Sequence, residues 1–144
     1  MTGETNDLEM VAQMEQFRRD IRHAKNVRGE QDATLAGVNP EELTMSCIGV
    51  WFDYKKLHAD FESVLIKVKN GDDSSLDEIL IRAENLTKKV NQIKPANESE
   101  DYFANWMRNR LGVVIGYAET SNSPQEVQEA LDDITKEKNE LFGK

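Results

Sequence analysis

Residues 39–71 have the sequence NPEELTMSCIGVWFDYKKLHADFESVLIKVKNG, and this stretch decides the fold. Its apolar residues return every three or four positions over about seven turns, the spacing of one face of an α-helix. They are Leu43, Cys47, Trp51, Tyr54, Phe61, Leu65 and Val68. Asn39 and Pro40 supply an N-cap and a first-turn proline, and Asn70-Gly71 supplies a stop signal. We therefore predict a helix over residues 39–69.

Four further segments show the same helical spacing. One runs from about Asn6 to Arg28, one is capped at Ser75 and ends before Pro95, one is capped at Ser99 and reaches Tyr117, and one is capped at Ser123 and ends at Gly143. No segment alternates with a period of two, and short connections make neighbouring helices antiparallel. The sequence predicts an all-α fold, an antiparallel helical bundle of about five helices in a single domain over residues 1–144. Residues 1–5 are expected to be disordered and residues 29–38 to form a long loop.

Composition narrows the class of protein. The 144 residues are 38% hydrophobic and 31% charged, which is too apolar for a disordered chain and too polar for a membrane protein. Cys47 is the only cysteine, so no internal disulfide can form, as is usual in a reducing compartment. The N-terminal residues lack a signal-peptide pattern, and no apolar run approaches the ~20 residues that span a bilayer. We expect a soluble cytoplasmic protein that does not enter a membrane.

The charge of the chain argues against nucleic acid as the partner. The formal net charge is −9, whereas a protein that binds phosphates needs an excess of Lys and Arg. One basic stripe exists, formed by Arg18, Arg22 and Lys25 of the first helix. It either contacts the acidic last helix, within the chain or in a homodimer, or binds a protein partner or a nucleic acid.

The helix over residues 39–69 has a second apolar face. Met45, Ile48, Phe52, Ala59 and Ile66 lie roughly opposite the main stripe. Either neighbouring helices cover both faces, or this face is an exposed patch of the kind that marks interaction sites.

The last two predicted helices differ in the arc that their apolar residues cover. The helix after Ser99 is apolar over more than half of its circumference, which predicts a central position, and Gly112 and Gly116 predict a close approach of another backbone. The last helix has a narrow apolar stripe, which predicts a peripheral position. The face opposite that stripe is expected to be acidic and comprises Glu126, Glu129, Asp132, Asp133, Glu137 and Glu140.

Two polar residues fall on predicted buried faces. His58 lies within the main stripe, where we expect a core histidine with one hydrogen bond rather than an acid–base group. Arg110 lies among apolar residues and must be paired or stacked, because an isolated buried guanidinium is costly. Asp53 or another acid on a facing helix is the expected partner; an anionic ligand is the alternative.

No metal ion or cofactor is expected. The two histidines lack the Glu-x-x-His motifs of di-iron bundles, and Cys47 lies three turns from His58. The acidic run Glu126–Asp133 resembles that of helical Mg²⁺-dependent nucleotide pyrophosphatases. Those enzymes also carry a Glu-Glu-x-x-Glu helix, which is incomplete after Glu41-Glu42.

The sequence thus favours a non-enzymatic protein-binding module of the adaptor, chaperone, immunity or inhibitor type. The expected partner-binding residues are Arg18, Arg22, Lys25, Met45, Ile48, Phe52 and Ile66. The alternatives are a Mg²⁺-dependent nucleotide hydrolase and a nucleic-acid binder that uses the basic stripe.

Overall fold

The computed structural model describes the backbone of residues 2–142 and the side chains of residues 8–142. Within this part of the chain there are α-helices and one 3-10 turn, Pro40–Glu42, and no β-strand. The helices are α1 (Thr2–Arg28), α2 (Ala33–Ala36), α3 (Met45–Lys69), α4 (Leu76–Asn91), α5 (Glu98–Thr120) and α6 (Pro124–Leu141). The predicted all-α helical bundle is confirmed.

Helices α3 and α5 are the central elements, because each of them packs against four other helices. Aromatic side chains fill the space between these helices. Trp51 of α3 stacks on Trp106 of α5 with ring centroids 5.8 Å apart, and Phe17 of α1 meets Phe103 of α5 edge to face. All four rings are fully buried, so the three helices share one apolar core.

The start of α3 differs from the prediction. Asn39 does act as a cap, but for the 3-10 turn Pro40–Glu42, and α3 begins only at Met45. The chain is extended at Leu43 and Thr44, where the buried Leu43 side chain enters the core. The backbone N–H of Thr44 donates to Glu100 of α5 at 2.7 Å. This tertiary contact stabilises the interruption between the 3-10 turn and α3, which the local sequence signals did not indicate.

The long loop predicted for residues 29–38 contains a short helix. Asp32 caps α2 by accepting a hydrogen bond from the backbone N–H of Leu35, and Leu35 is fully buried. Gly37 follows beneath the ring of Tyr102, where a Cβ atom would come within 2.7 Å of that ring. Only glycine fits this contact, which positions α2 against α5.

The predicted caps of the later helices have different outcomes. Ser123 accepts from the backbone N–H of Glu126 and caps α6 as predicted. Ser75 occupies the N-cap position of α4 without a side-chain cap hydrogen bond. The cap of α5 is Asn97, not Ser99. Helix α1 begins at Thr2, and the disorder expected for residues 1–5 stays a prediction. Gly143, the predicted end of the last helix, lies outside the described residues.

The expectation that Gly112 and Gly116 bring another backbone of this chain close to α5 is wrong, and a homodimer seam at these glycines stays a prediction. A Cβ atom at either position would meet no described atom within 4 Å beyond the local helix. Gly112 is exposed and Gly116 is partly exposed. The core side of α5 is instead formed by its bulky residues, because these bury far more apolar surface than glycine can.

Among the described residues, no helix combines the length and the apolar composition required to cross a membrane.

Candidate functional site

A buried ion pair links α5 to α6. Arg110 donates through Nε to Oε1 of Glu137 at 3.0 Å, and its Nη2 donates to Oε2. The Glu137 side chain is 2% exposed and that of Arg110 is 18% exposed. Two parallel bonds of this kind match the planar guanidinium to the carboxylate.

The same carboxylate also contacts α3. The Tyr54 hydroxyl donates to Oε1 at 2.5 Å, and Nε2 of His58 lies 3.7 Å from Oε2. Burial alone would raise the pKa of Glu137, but His58 and the Arg110 guanidinium outweigh burial and hold the pKa at about 2. Burial and then the charge of Glu137 raise the pKa of Tyr54 well above its usual value. At neutral pH the cluster therefore holds an ionised carboxylate–guanidinium pair beside a neutral phenol.

His58 is fully buried as predicted, but in place of the single hydrogen bond expected of it, its Nε2 lies 3.7 Å from the Glu137 carboxylate, which is a polar contact longer than a hydrogen bond. Neither ring nitrogen has a hydrogen-bond partner among the described residues. The Tyr54 and Phe142 rings meet the imidazole edge on, with centroids 5.8 and 5.2 Å away. The imidazole is thus fully buried, and two aromatic rings cover part of its surface.

The assignment of Glu137 to the exposed face of the last helix is wrong. Together with Ala130, Ile134 and Leu141 it forms the buried stripe of α6. The spacing 130, 134, 137, 141 is that of one helical face, so the sequence indicated a buried position at 137. A charged residue at that position led to its assignment to the exposed face. Asp53, the named candidate partner of Arg110, instead pairs with Lys89 on the surface.

A second buried carboxylate, Glu100, joins the N-termini of α3 and α5. Its Oε2 accepts from the backbone N–H of Thr44 at 2.7 Å and from the Thr44 hydroxyl at 2.5 Å, and its Oε1 accepts from the backbone N–H of Ala96 at 2.9 Å. Burial alone would raise the pKa of Glu100, but these bonds outweigh it and lower the pKa. No basic side chain within the described region pairs with it, so the Thr44 hydroxyl and the backbone N–H groups of Ala96 and Thr44 stabilise the charge.

The Glu100 carboxylate also affects the ionisation of the only thiol, that of Cys47. Cys47 Sγ lies 3.4 Å from Oε2, and burial followed by the charge of Glu100 raises the pKa of the thiol to about 12. Since the thiolate is the nucleophilic form, we expect Cys47 to react slowly in the folded protein.

The basic stripe of α1 is largely engaged within the chain. Arg18 donates through Nη2 to the carbonyl oxygen of Leu43 at 3.2 Å, and Arg22 pairs with Glu41. Lys25 is partly buried. Arg28, one turn further along, lies 3.8 Å from Glu140 of α6. Arg18 and Arg22 thus have partners within the chain, but these partners are Leu43 and Glu41 and not the acidic last helix that was predicted to contact the stripe.

The second face of α3 is buried at one point and open at others. Ile48 is 6% exposed, so its assignment to a partner surface is wrong, because the bundle itself covers it. Phe52 is partly buried, with Nζ of Lys55 6.0 Å from its ring centroid. Met45 and Ile66 are both more than two-fifths exposed, at opposite ends of the helix. The exposed residues of this face are therefore separated from one another and do not form one continuous apolar patch.

Met45 belongs to a different apolar surface, which we call the methionine groove. It is a cavity of about 330 Å³ between α1 and the start of α3. Its lining residues are Met10, Val11, Met14, Glu15, Arg18 and Met45. Sequence reasoning placed Arg18 and Met45 at a partner surface but did not bring them together, because their contact depends on how α1 crosses α3.

The apolar side of the methionine groove continues the buried stripe of α1 into a region that the other helices do not cover. Met10 lies on the same stripe of α1 as the buried Phe17 and Ile21, yet it is 44% exposed. All residues from 8 to 13 are exposed, and Val11 is 56% exposed. Residues 8–13 thus present core-type side chains that no other described helix covers.

The acidic run of α6 lies mainly on the surface. Glu126, Glu129, Asp132 and Asp133 are exposed, and the Tyr117 hydroxyl donates to Asp133. Glu41, which would belong to the second acidic element of a nucleotide hydrolase, is paired with Arg22. Among the described residues, no group of His, Cys, Asp and Glu side chains is arranged to hold a metal ion.

Comparisons with protein-family models, curated proteins and solved structures found no match. The fold defines the chain as an all-α helical bundle, and its function has to be inferred from its surfaces.

Proposed function

We propose that this chain is a non-enzymatic, cytoplasmic protein-binding module and that the methionine groove is its contact surface. The observation that carries the proposal is the exposure of Met10 and Val11 at the point where α1 leaves the core. Uncovered apolar side chains that adjoin one another commonly mark interaction surfaces. A single exposed apolar residue such as Ile81 gives no such indication, because isolated apolar side chains are common on protein surfaces.

The composition of the groove supports a binding role. Met10, Met14 and Met45 supply three of its lining residues. Methionine is unbranched and polarisable, so it adapts to partner side chains of different shapes. Helix-in-groove recognition uses an apolar cleft of this type.

The proposal is tested by photo-crosslinking in the cells that express the protein. A photoreactive amino acid replaces Val11 in one variant and Ile81 in the control variant. The two positions match, since Val11 is 56% exposed and Ile81, on α4, is 58% exposed. We expect a discrete heavier adduct from position 11 and none from position 81.

A second pair of variants tests whether the apolar side chain at position 11 is required for binding. Val11→Asp is expected to abolish the adduct formed from a probe at Met10, whereas Ile81→Asp leaves it intact. Circular dichroism should show unchanged helicity in both variants, because both side chains are exposed. Equal adducts from positions 11 and 81, or none from either, would contradict a binding role for the groove.

A further inference from the structure

We infer that a second copy of this chain occupies the methionine groove, so that two copies form a symmetric dimer; the inference rests on the proposed function. The groove is lined by one acidic and one basic side chain, Glu15 and Arg18, beside its apolar side chains. A surface of this composition is complementary to its own copy, because a two-fold axis brings the acid of each copy to the base of the other.

Neither of these two charges has an opposite partner within the described part of the chain. The salt bridges there include neither Glu15 nor Arg18. The Glu15 side chain is exposed. The Arg18 guanidinium donates through Nη2 to the carbonyl oxygen of Leu43, which is neutral, and its Nε is buried without a hydrogen-bond partner. Both charges are therefore available to another molecule.

The order of the two charges along α1 favours a two-fold arrangement. Arg18 follows Glu15 by three residues, and both line the same groove. A two-fold axis perpendicular to α1 makes the α1 helix of the second copy run in the opposite direction. Glu15 of each copy then lies opposite Arg18 of the other, and one axis creates two ion pairs. Two α1 helices that ran in the same direction would instead bring like charges together.

The apolar side chains of the groove supply the centre of the contact. Met10, Val11 and Met45 are each more than two-fifths exposed in the single copy. In the dimer the apolar side chains of one copy cover those of the other, and flexible methionine side chains adapt to this packing. Because each copy contributes the same patch, the apolar surface removed from water is twice that of one patch.

The size and the charge of the molecule determine the expected strength of the dimer. Residues 10–18 extend about 12 Å along the axis of α1, and interfaces that bury less than about 1,200 Å² are weak or transient. The net charge of −9 on each copy opposes association. At about 0.15 M salt this repulsion is screened beyond about 8 Å, whereas ion pairs in direct contact are not. We therefore expect a dissociation constant on the order of 10 µM.

The inference is tested by sedimentation velocity on the full chain at concentrations from about 1 µM to about 500 µM. We expect the sedimentation coefficient to rise from that of a monomer to that of a dimer over this range. Val11→Asp should remain monomeric, because it places a charge among the methionines of the contact. Ile81→Asp, at a similarly exposed position on α4, should dimerise as the wild type does.

Charge reversal identifies the ion pairs of the dimer. Glu15→Arg alone and Arg18→Glu alone should each be monomeric, because each brings two pairs of like charges together. An equimolar mixture of the two variants should form a heterodimer, since every charge at these positions then faces its opposite. Recovery in the mixture also shows that both variants are folded. The controls Glu84→Arg and Lys88→Glu make the same changes at exposed positions on α4 and should dimerise as the wild type does.

Each contrary outcome overturns a defined statement. A chain that stays monomeric up to about 500 µM refutes the inference, whereas a photo-crosslinked adduct of position 11 with a different protein leaves the proposed function intact. A dimer that persists in Val11→Asp, or in both single charge reversals, forms through another surface and refutes the inference. Monomeric single variants whose mixture does not associate refute the reciprocal pairing of Glu15 with Arg18.

Discussion

Replacing Glu137 by Gln should show how strongly the buried ion pair stabilises the fold. The substitution keeps the size of the side chain but leaves Arg110, whose side chain is 18% exposed, without its carboxylate. Because the pKa of Glu137 falls from 4.5 to about 2 on folding, the ionised form stabilises the protein by about 3 kcal/mol. Breaking a buried pair typically costs about 3–5 kcal/mol, so the two considerations agree in magnitude.

The assay is urea unfolding followed by circular dichroism. With a slope of about 2 kcal/mol per M, a loss of about 3 kcal/mol lowers the urea midpoint by about 1.5 M. Glu129→Gln is the matched control, because Glu129 is an exposed glutamate on the same helix. It should change the free energy of unfolding by less than about 0.5 kcal/mol.

The pH dependence provides an independent check of the sign. Since the pKa of Glu137 is lower in the folded protein, its contribution is fully present above about pH 4.5 and is lost as the pH falls toward about 2. The stability difference between wild type and Glu137→Gln should therefore shrink over this interval. A difference below about 1 kcal/mol at pH 7, or one that is unchanged at pH 3, would refute the reasoning.

Three further substitutions or modifications have defined outcomes. Glu100→Gln should lower the free energy of unfolding by about 1–3 kcal/mol in a urea titration, because an amide cannot accept at both Thr44 and Ala96; no loss would show that these bonds are dispensable. Gly112→Ala should raise the melting temperature, through a gain of about 0.5–1 kcal/mol, since its Cβ meets open space; a lower melting temperature would reveal a hidden contact. Cys47, with a pKa of about 12, should react with a thiol reagent at pH 8 only as fast as the protein unfolds, and rapid native labelling would contradict its burial.

Periodicity was sufficient to predict the helices themselves, although Ser75 makes no cap hydrogen bond and Ser99 is not the cap of α5. A repeating apolar stripe and a serine before Pro124 are local signals, and local signals survive in any tertiary context that buries the stripe. The existence of α1, α3, α4, α5 and α6 follows from them, as does the absence of sheet among the described residues. The break between residues 42 and 45 does not follow, because Glu100, far away in sequence, captures the backbone of Thr44.

The identity of each polar partner was likewise decided by packing. The sequence required Arg110 to have an acidic partner, since an unpaired guanidinium is costly to bury. Several helices offered carboxylates, and only the position of α6 against α5 selected Glu137 over Asp53. The methionine groove has the same origin: helical spacing places Met10 on the core stripe of α1, but whether another helix covers that position depends on where α1 crosses α3. Spacing along the chain thus determines which side of a helix is apolar. The crossing of helices determines which part of that side stays exposed, because burial is a property of the assembled bundle and not of any one segment.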